Sequence, residues 1–139
     1  VAKFTLTDAY ININGVTLSD HARSITIEDT RAQVDFTAFG ATSLVYGKGL
    51  GDAKFTVEFY QDFAAASVHA TLQPLISSTT PFTIEARYTS GARSTTNPGF
   101  SMTALLFTYN PLSGSIGDAS TFSAEFQNAG QTGISYLTS

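Results

Sequence analysis

The sequence predicts a mostly β domain, a β-sandwich or barrel-like fold with one flanking α-helix and one long loop. Three observations carry this. Apolar and polar residues alternate through most of the chain, the period of strands with one buried face. One stretch, Asp62 to Ile76, switches to helical spacing. Segments rich in Gly, Asn, Ser and Pro punctuate the alternating runs as turns do. At 139 residues the chain has the size of one domain, so residues 1–139 are read as a single unit with one core.

Taken in order, Tyr10 to Asn14 meets Val16 to Leu18 across Asn14-Gly15, a pair suited to the positive φ angles of a tight hairpin. Arg23 to Asp29 puts Ile25 and Ile27 on one face and Thr26 and Glu28 on the other. Gln33 to Phe39 repeats the pattern, with Val34 and Phe36 opposing Asp35 and Thr37. Lys54 to Gln61 is the clearest case, with Phe55, Val57 and Phe59 inward and Thr56, Glu58 and Tyr60 outward. In Asp62 to Ile76, three alanines favour helix, and Val68, Leu72, Leu75 and Ile76 recur at i, i+4, i+7 and i+8. Asp62 is placed to cap this helix, and Pro74 to end its regular hydrogen bonding near Gln73.

Strand alternation resumes over Phe82 to Thr89, and Ser90 to Gly99 reads as a surface loop. Phe100 to Tyr109 is apolar on both faces at Leu105, Leu106 and Phe107. It is therefore a central strand, or one whose second face meets the helix or another subunit. Ser120 to Gln127 is the last clear strand. Ala129 to Ser139 is a final edge strand or an arm that docks on a neighbour.

Between two strands that ought to pair lies Gly40 to Ala53, far longer than the usual hairpin loop of about two to five residues. It carries Leu44, Val45, Tyr46 and Leu50, which need cover from the same domain or from another subunit.

Charged residues make up only 13% of the chain against 42% hydrophobic ones, so much of the surface is neutral or covered by other chains. Cysteine is absent, which excludes disulfides and thiolate chemistry. Seven basic residues oppose eleven acidic ones, and no basic cluster exists to neutralise a row of phosphates. No apolar run approaches the roughly 20 residues that span a bilayer, and Val1 to Thr7 lacks the pattern of a signal peptide, so the chain reads as cytoplasmic when made.

Candidate chemistry is sparse. Gly47-Lys48-Gly49-Leu50-Gly51 lacks the consecutive Gly-Lys-Ser/Thr and following helix of a phosphate-binding loop. Ser19, Asp20 and His21 hold the residue types of a triad, but sequence neighbours cannot converge as a triad must. They suit a turn instead. His69 has no carboxylate or histidine at i±3 or i±4. Asp35, Glu58, Glu85 and Glu125 fall at polar positions of separate strands, where a pair could approach as general acid and base but serves solubility more simply. No catalytic residue, metal or cofactor is assigned.

The order of elements resembles the tail tube family of long-tailed bacteriophages. The resemblance rests on ININGVTLSDHARSITIE, DFTAFG, FTVEFYQDFAAASV and NPLSGSIGDASTFSAEF and extends over almost the whole chain, most clearly toward phages of actinobacteria. It implies a β-sandwich with a flanking helix, whose subunits form hexameric rings stacked into a hollow tube that conducts DNA without binding it specifically. It also implies a virion protein made in the host cytoplasm, whose partners are further copies, the tape measure protein, the tail terminator and distal tail proteins, with no membrane involved. Leu44, Val45, Tyr46, Lys48 and Leu50 would then contact an adjacent subunit or ring. Asp35, Thr37, Thr56, Glu58 and, less directly, Glu85 would face the lumen, where a ring of carboxylates repels phosphate. Two alternatives are a head-to-tail completion or terminator protein of the same fold, and a carbohydrate-binding β-sandwich using Tyr60, Tyr88 and Tyr109 as platforms.

Overall fold

In the computed structural model, which describes residues 5–139, the alternating segments pair into one antiparallel sheet. Its strands are β1 (Tyr10–Ile13), β2 (Val16–Thr17), β3 (Ala22–Asp35), β4 (Tyr46–Tyr60), β5 (Phe82–Arg87), β6 (Gly99–Thr108), β7 (Thr121–Asn128) and β8 (Ser135–Leu137). A 3₁₀ turn spans Ser19–His21, and the helix α1 spans Val68–Ile76. Asn14 and Gly15 take φ values of 51° and 85° in the β1–β2 turn, as an Asn-Gly hairpin requires. The stretch Val1–Thr7 begins in residues outside those described. Among the described residues no helix is long and apolar enough to cross a membrane.

The strand order is β2-β1-β5-β6-β7-β4-β3, and β8 joins β6 at Gly99–Ser101, beyond the reach of β7. Twist curls this sheet until β8 comes within reach of β3. The Tyr136 hydroxyl of β8 donates to the Asp29 carboxylate of β3. A cleft of about 290 Å³ separates Ile25 and Ile27 of β3 from Ala86, Phe100 and Tyr136 on the far strands. The result is mostly β and barrel-like, with one helix.

One face of the curled sheet holds the core. Phe55, Val57 and Phe59 alternate inward on β4, Ile84 and Ala86 on β5, Met102 and Ala104 on β6, and Ala124 and Phe126 on β7. Val68, Leu72 and Leu75 of α1 close the same cluster. Each large side chain buried here contributes about 1.5–3 kcal/mol. β6 lies centrally between β5 and β7, and its alternation from buried Met102, Ala104 and Leu106 leaves Phe107 outward at 60% exposure. The carboxyl-terminal segment is an edge strand, with Ile134 buried just before β8.

Three expectations need correction. Residues 23–29 and 33–39 are not separate strands, because β3 runs unbroken from Ala22 to Asp35, and Val34 and Phe36 lie outside the core. The long connection covers only residues 36–45, since Tyr46 to Ala53 is the first half of β4. The helix starts at Val68 rather than Asp62. Asp62 instead ties the preceding turn, accepting from Ala64 N (2.9 Å) and Ser67 Oγ (2.7 Å), while its carbonyl accepts from His69 N (3.0 Å). Ala66, at φ 59°, breaks any helix entering from that side. The helix also passes Pro74 and ends at Ile76. The missing Pro74 N–H would have served the Ala70 carbonyl, and Ala70 is exposed to water.

Candidate assembly surfaces

β3 and β4 pair from Ala22/Phe59 to Asp35/Tyr46, but β7 covers β4 only from Lys54 to Tyr60. Thr30–Asp35 and Tyr46–Asp52 therefore project as a two-stranded arm with no buried residue. Such a ribbon is marginal by itself. The three glycines of its β4 side explain how it holds together. A β-carbon on Gly47 would overlap the Phe36 ring, one on Gly49 would lie 3.1 Å from Ala32 Cβ and 3.2 Å from Val34 Cγ2, and one on Gly51 would lie 2.7 Å from Arg31 Nη1. Side chains of β3 thus lie flat over a bare β4 backbone, which is what the Gly-Lys-Gly-Leu-Gly run provides.

At the tip, Phe36 N donates to the Val45 carbonyl (2.9 Å) and Val45 N to Thr37 Oγ1 (2.8 Å). Thr37 N donates to Asp35 Oδ1 (2.9 Å). That backbone donor, with the Thr37 hydroxyl, holds the Asp35 carboxyl below the usual carboxylate range. Leu44, Val45, Tyr46, Lys48 and Leu50 are all exposed, Leu50 at 90%. Phe39 is fully exposed beside them. The arm thus presents several large apolar side chains to solvent on a ribbon without support from the core.

The face of the sheet opposite the core is polar and built in rows. Ser24, Glu58 and Ser123 form one row across β3, β4 and β7; Thr26, Thr56 and Glu125 form the next; Glu28, Lys54 and Gln127 form a third. Its carboxylates are partly matched, Glu58 by Arg23 at 3.3 Å and Glu125 by Lys54 at 3.8 Å. Asp35 does not belong to this face. It alternates in phase with Ile25, Ile27 and Asp29, whereas Ala32, Val34 and Phe36, over the arm glycines, continue the face of Glu58 and Thr56.

Glu85 on β5 is largely sequestered, its side chain 13% exposed. Arg93 donates to both of its oxygens, with Nε at 2.9 Å, and Arg87 Nε lies 3.4 Å away. The Arg93 hydrogen bonds outweigh burial and, with the charges of Arg93 and Arg87, hold the Glu85 carboxyl below its ordinary range. Arg87 in turn stacks on Tyr10, 4.0 Å from the ring centroid. Arg93 was invisible as a partner in sequence, because it sits inside the Ser/Gly/Thr loop. Leu112 and Ile116, almost fully exposed in the β6–β7 connection, were also missed. Their only signal is an apolar residue among Ser and Gly.

The residues considered for chemistry do other work. Ser19 Oγ accepts from Ile11 N (2.9 Å), fixing the turn to β1. His69 Nδ1 pairs with the Tyr109 hydroxyl at 2.6 Å. Among the described residues no group of three His, Cys, Asp or Glu side chains is arranged to hold a metal.

No protein family's sequence profile matches the chain, and no curated protein matches it. Solved structures similar in fold include two from gene transfer agent particles. One is a chain in the tail of an empty gene transfer agent particle with C6 symmetry, at a TM-score of 0.69 and 12% identity, covering 93% of this chain and 93% of that one. The other is a chain in the virion of a native gene transfer agent particle, at a TM-score of 0.71 and 11% identity, covering 94% of this chain and 95% of that one. At such low identity the likeness is one of fold, and it extends over nearly the whole of both chains: this protein folds as a subunit of those particles does.

Proposed function

We propose that this chain is a structural subunit of a phage-type tail tube. The observation that carries the reading is the fold likeness, end to end, to a chain of a C6-symmetric tail. The exposed apolar arm supports it, because a surface of that kind calls for a neighbouring copy. In this reading six copies form a ring, rings stack, and Leu44, Val45, Tyr46, Lys48 and Leu50 bury their side chains between subunits. The polar rows that include Thr56 and Glu58 line the lumen, where weakly held hydroxyls and carboxylates let a duplex slide. Asp35 and Thr37 close the arm tip, and Glu85 serves the fold more than the wall. The tape measure, terminator and distal tail proteins are the further partners, and the virion is the place of action.

Negative-stain microscopy of the purified chain tests this. Long hollow tubes with six-fold end views are expected. Rings that never stack would point to a terminator of the same fold, and a monomer at high concentration would overturn the reading.

A further inference from the structure

His21 sits between two carboxylates. Its Nδ1 is 2.9 Å from Asp20 Oδ1, and its Nε2 is 2.8 Å from Asp62 Oδ2. A neutral imidazole has one N–H and one lone pair, so it satisfies one of these oxygens and turns a lone pair toward the other. Only the doubly protonated ring donates to both. The Asp62 end is the more consequential. Its carboxylate also holds Ala64 N and the buried Ser67 hydroxyl, and Ser67 is the residue from which α1 starts. Ser67 Oγ lies 3.5 Å from Nε2, so the ring, the carboxylate and the start of the helix meet at one point.

We propose that His21 is a proton-operated clasp, which as imidazolium fastens the turn before α1 to the corner between β2 and β3 through both ring nitrogens and holds it by one alone after losing a proton. The charges acting on the ring are those of Asp20 and Asp62. Arg23, the nearest base in sequence, is turned to Glu58. Burial opposes the charged ring, but the hydrogen bonds and charges of the two aspartates prevail and raise its pKa above the ordinary 6.5. Asp62 is held below 3.8, first by the Ala64 amide and the Ser67 hydroxyl. A raised histidine stabilises fully below 6.5 and loses that contribution as pH climbs through its folded pKa. A depressed aspartate stabilises above 3.8 and loses it as pH falls through its own folded pKa. The clasp is therefore tightest between those limits and loosens on the alkaline side, where the turn keeps only the bonds that Asp62 accepts from Ala64, Ser67 and His69. This inference is independent of the tail tube reading.

The chain has two histidines, so NMR of their ring Cε1–H groups reads each directly, with His69→Gln assigning the pair. The His21 midpoint is expected above 6.5 and should move down in Asp20→Asn, a change at a side chain 81% exposed that leaves the fold intact. Amide exchange at Ala64 and Ser67 is then compared between the wild type and His21→Gln. Protection by the wild type is expected at about pH 5 and should vanish at about pH 9. A midpoint at or below 6.5, one unmoved by Asp20→Asn, or a protection ratio independent of pH overturns the proposal. If His21→Gln does not fold, the exchange comparison is made with Asp20→Asn, in which protection of Ala64 and Ser67 should fade at lower pH than in the wild type; an unchanged profile overturns the proposal.

Discussion

The Tyr136 hydroxyl donates to the Asp29 carboxylate, joining the last strand to β3 across 107 positions of sequence. The Tyr136 ring also packs edge-on against Phe100, at 5.6 Å between centroids. Tyr136→Phe keeps the ring and removes only the donor. Tyr136 first, then Arg31, hold the Asp29 carboxyl below 3.8, so the contact stabilises above that value and is lost as pH falls through the folded pKa. The variant should unfold at lower urea than the wild type at neutral pH, and the two midpoints should converge in strong acid.

Glu85 should prove structural. Replacing it with Ala leaves Arg87 and Arg93 without a counter-charge. Arg87 is only 13% exposed, and its Nε already lacks a well-formed hydrogen bond. Breaking such a pair should cost roughly 2 kcal/mol, below the roughly 3–5 kcal/mol of a fully buried pair because Arg93 is a third exposed. The wild-type contribution is present above 4.5 and lost below it as Glu85 protonates, so the difference measured by denaturation should shrink in acid.

The core and the arm should separate stability from assembly. Phe55→Ala empties a fully buried site on β4 and should cost about 3–5 kcal/mol in thermal or urea unfolding. Leu50→Ser, at 90% exposure on the same strand, should change stability by no more than about 0.5 kcal/mol. It should nevertheless reduce tube formation seen by light scattering. Equal effects of the two substitutions on folding would show that the arm is part of the core.

Gly49→Val tests the packing within the arm. Its β-carbon would already sit tightly against Ala32 and Val34, short side chains with little room to move, and the added methyl groups worsen the fit. Amide exchange should quicken over residues 31–36 and 46–51 while Val57 and Ala124 in the core keep their protection.

What could be read from the sequence follows from which residues have a core to face. Phe55, Val57 and Phe59 announce their strand because each alternate position meets the same cluster. β6 does lie centrally, but its second apolar face at Leu105 and Phe107 stays outside the core cluster. From Tyr46 to Asp52 β4 has no core beneath it, and glycine is depleted in ordinary strands, so Tyr46 to Ala53 resembled a loop. Its strand character depends on Arg31, Val34 and Phe36 lying over the glycines, a cross-strand relation that local pattern does not contain. The alanines after Asp62 show the opposite failure. Their helix propensity amounts to tenths of a kcal/mol each, and the three bonds gathered by Asp62 override it. For the candidate sites, apolar exposure at Leu44 and Leu50 was legible, but the phase of Asp35 relative to Glu58 was not, because the register shift opposite Arg31–Gln33 adds a residue on β4.

β4 runs without interruption from the exposed tip at Tyr46 to Tyr60 beyond the last core phenylalanine, so the arm has no hinge where it leaves the body. Mechanically it is a lever whose fulcrum is the hydrophobic cluster. A load applied at Leu44 or Tyr46 passes along one covalent backbone to Phe55, Val57 and Phe59. The ladder to β7 begins only at Lys54, so the inner part of the lever is braced on both sides and the outer part, Tyr46 to Ala53, by β3 alone.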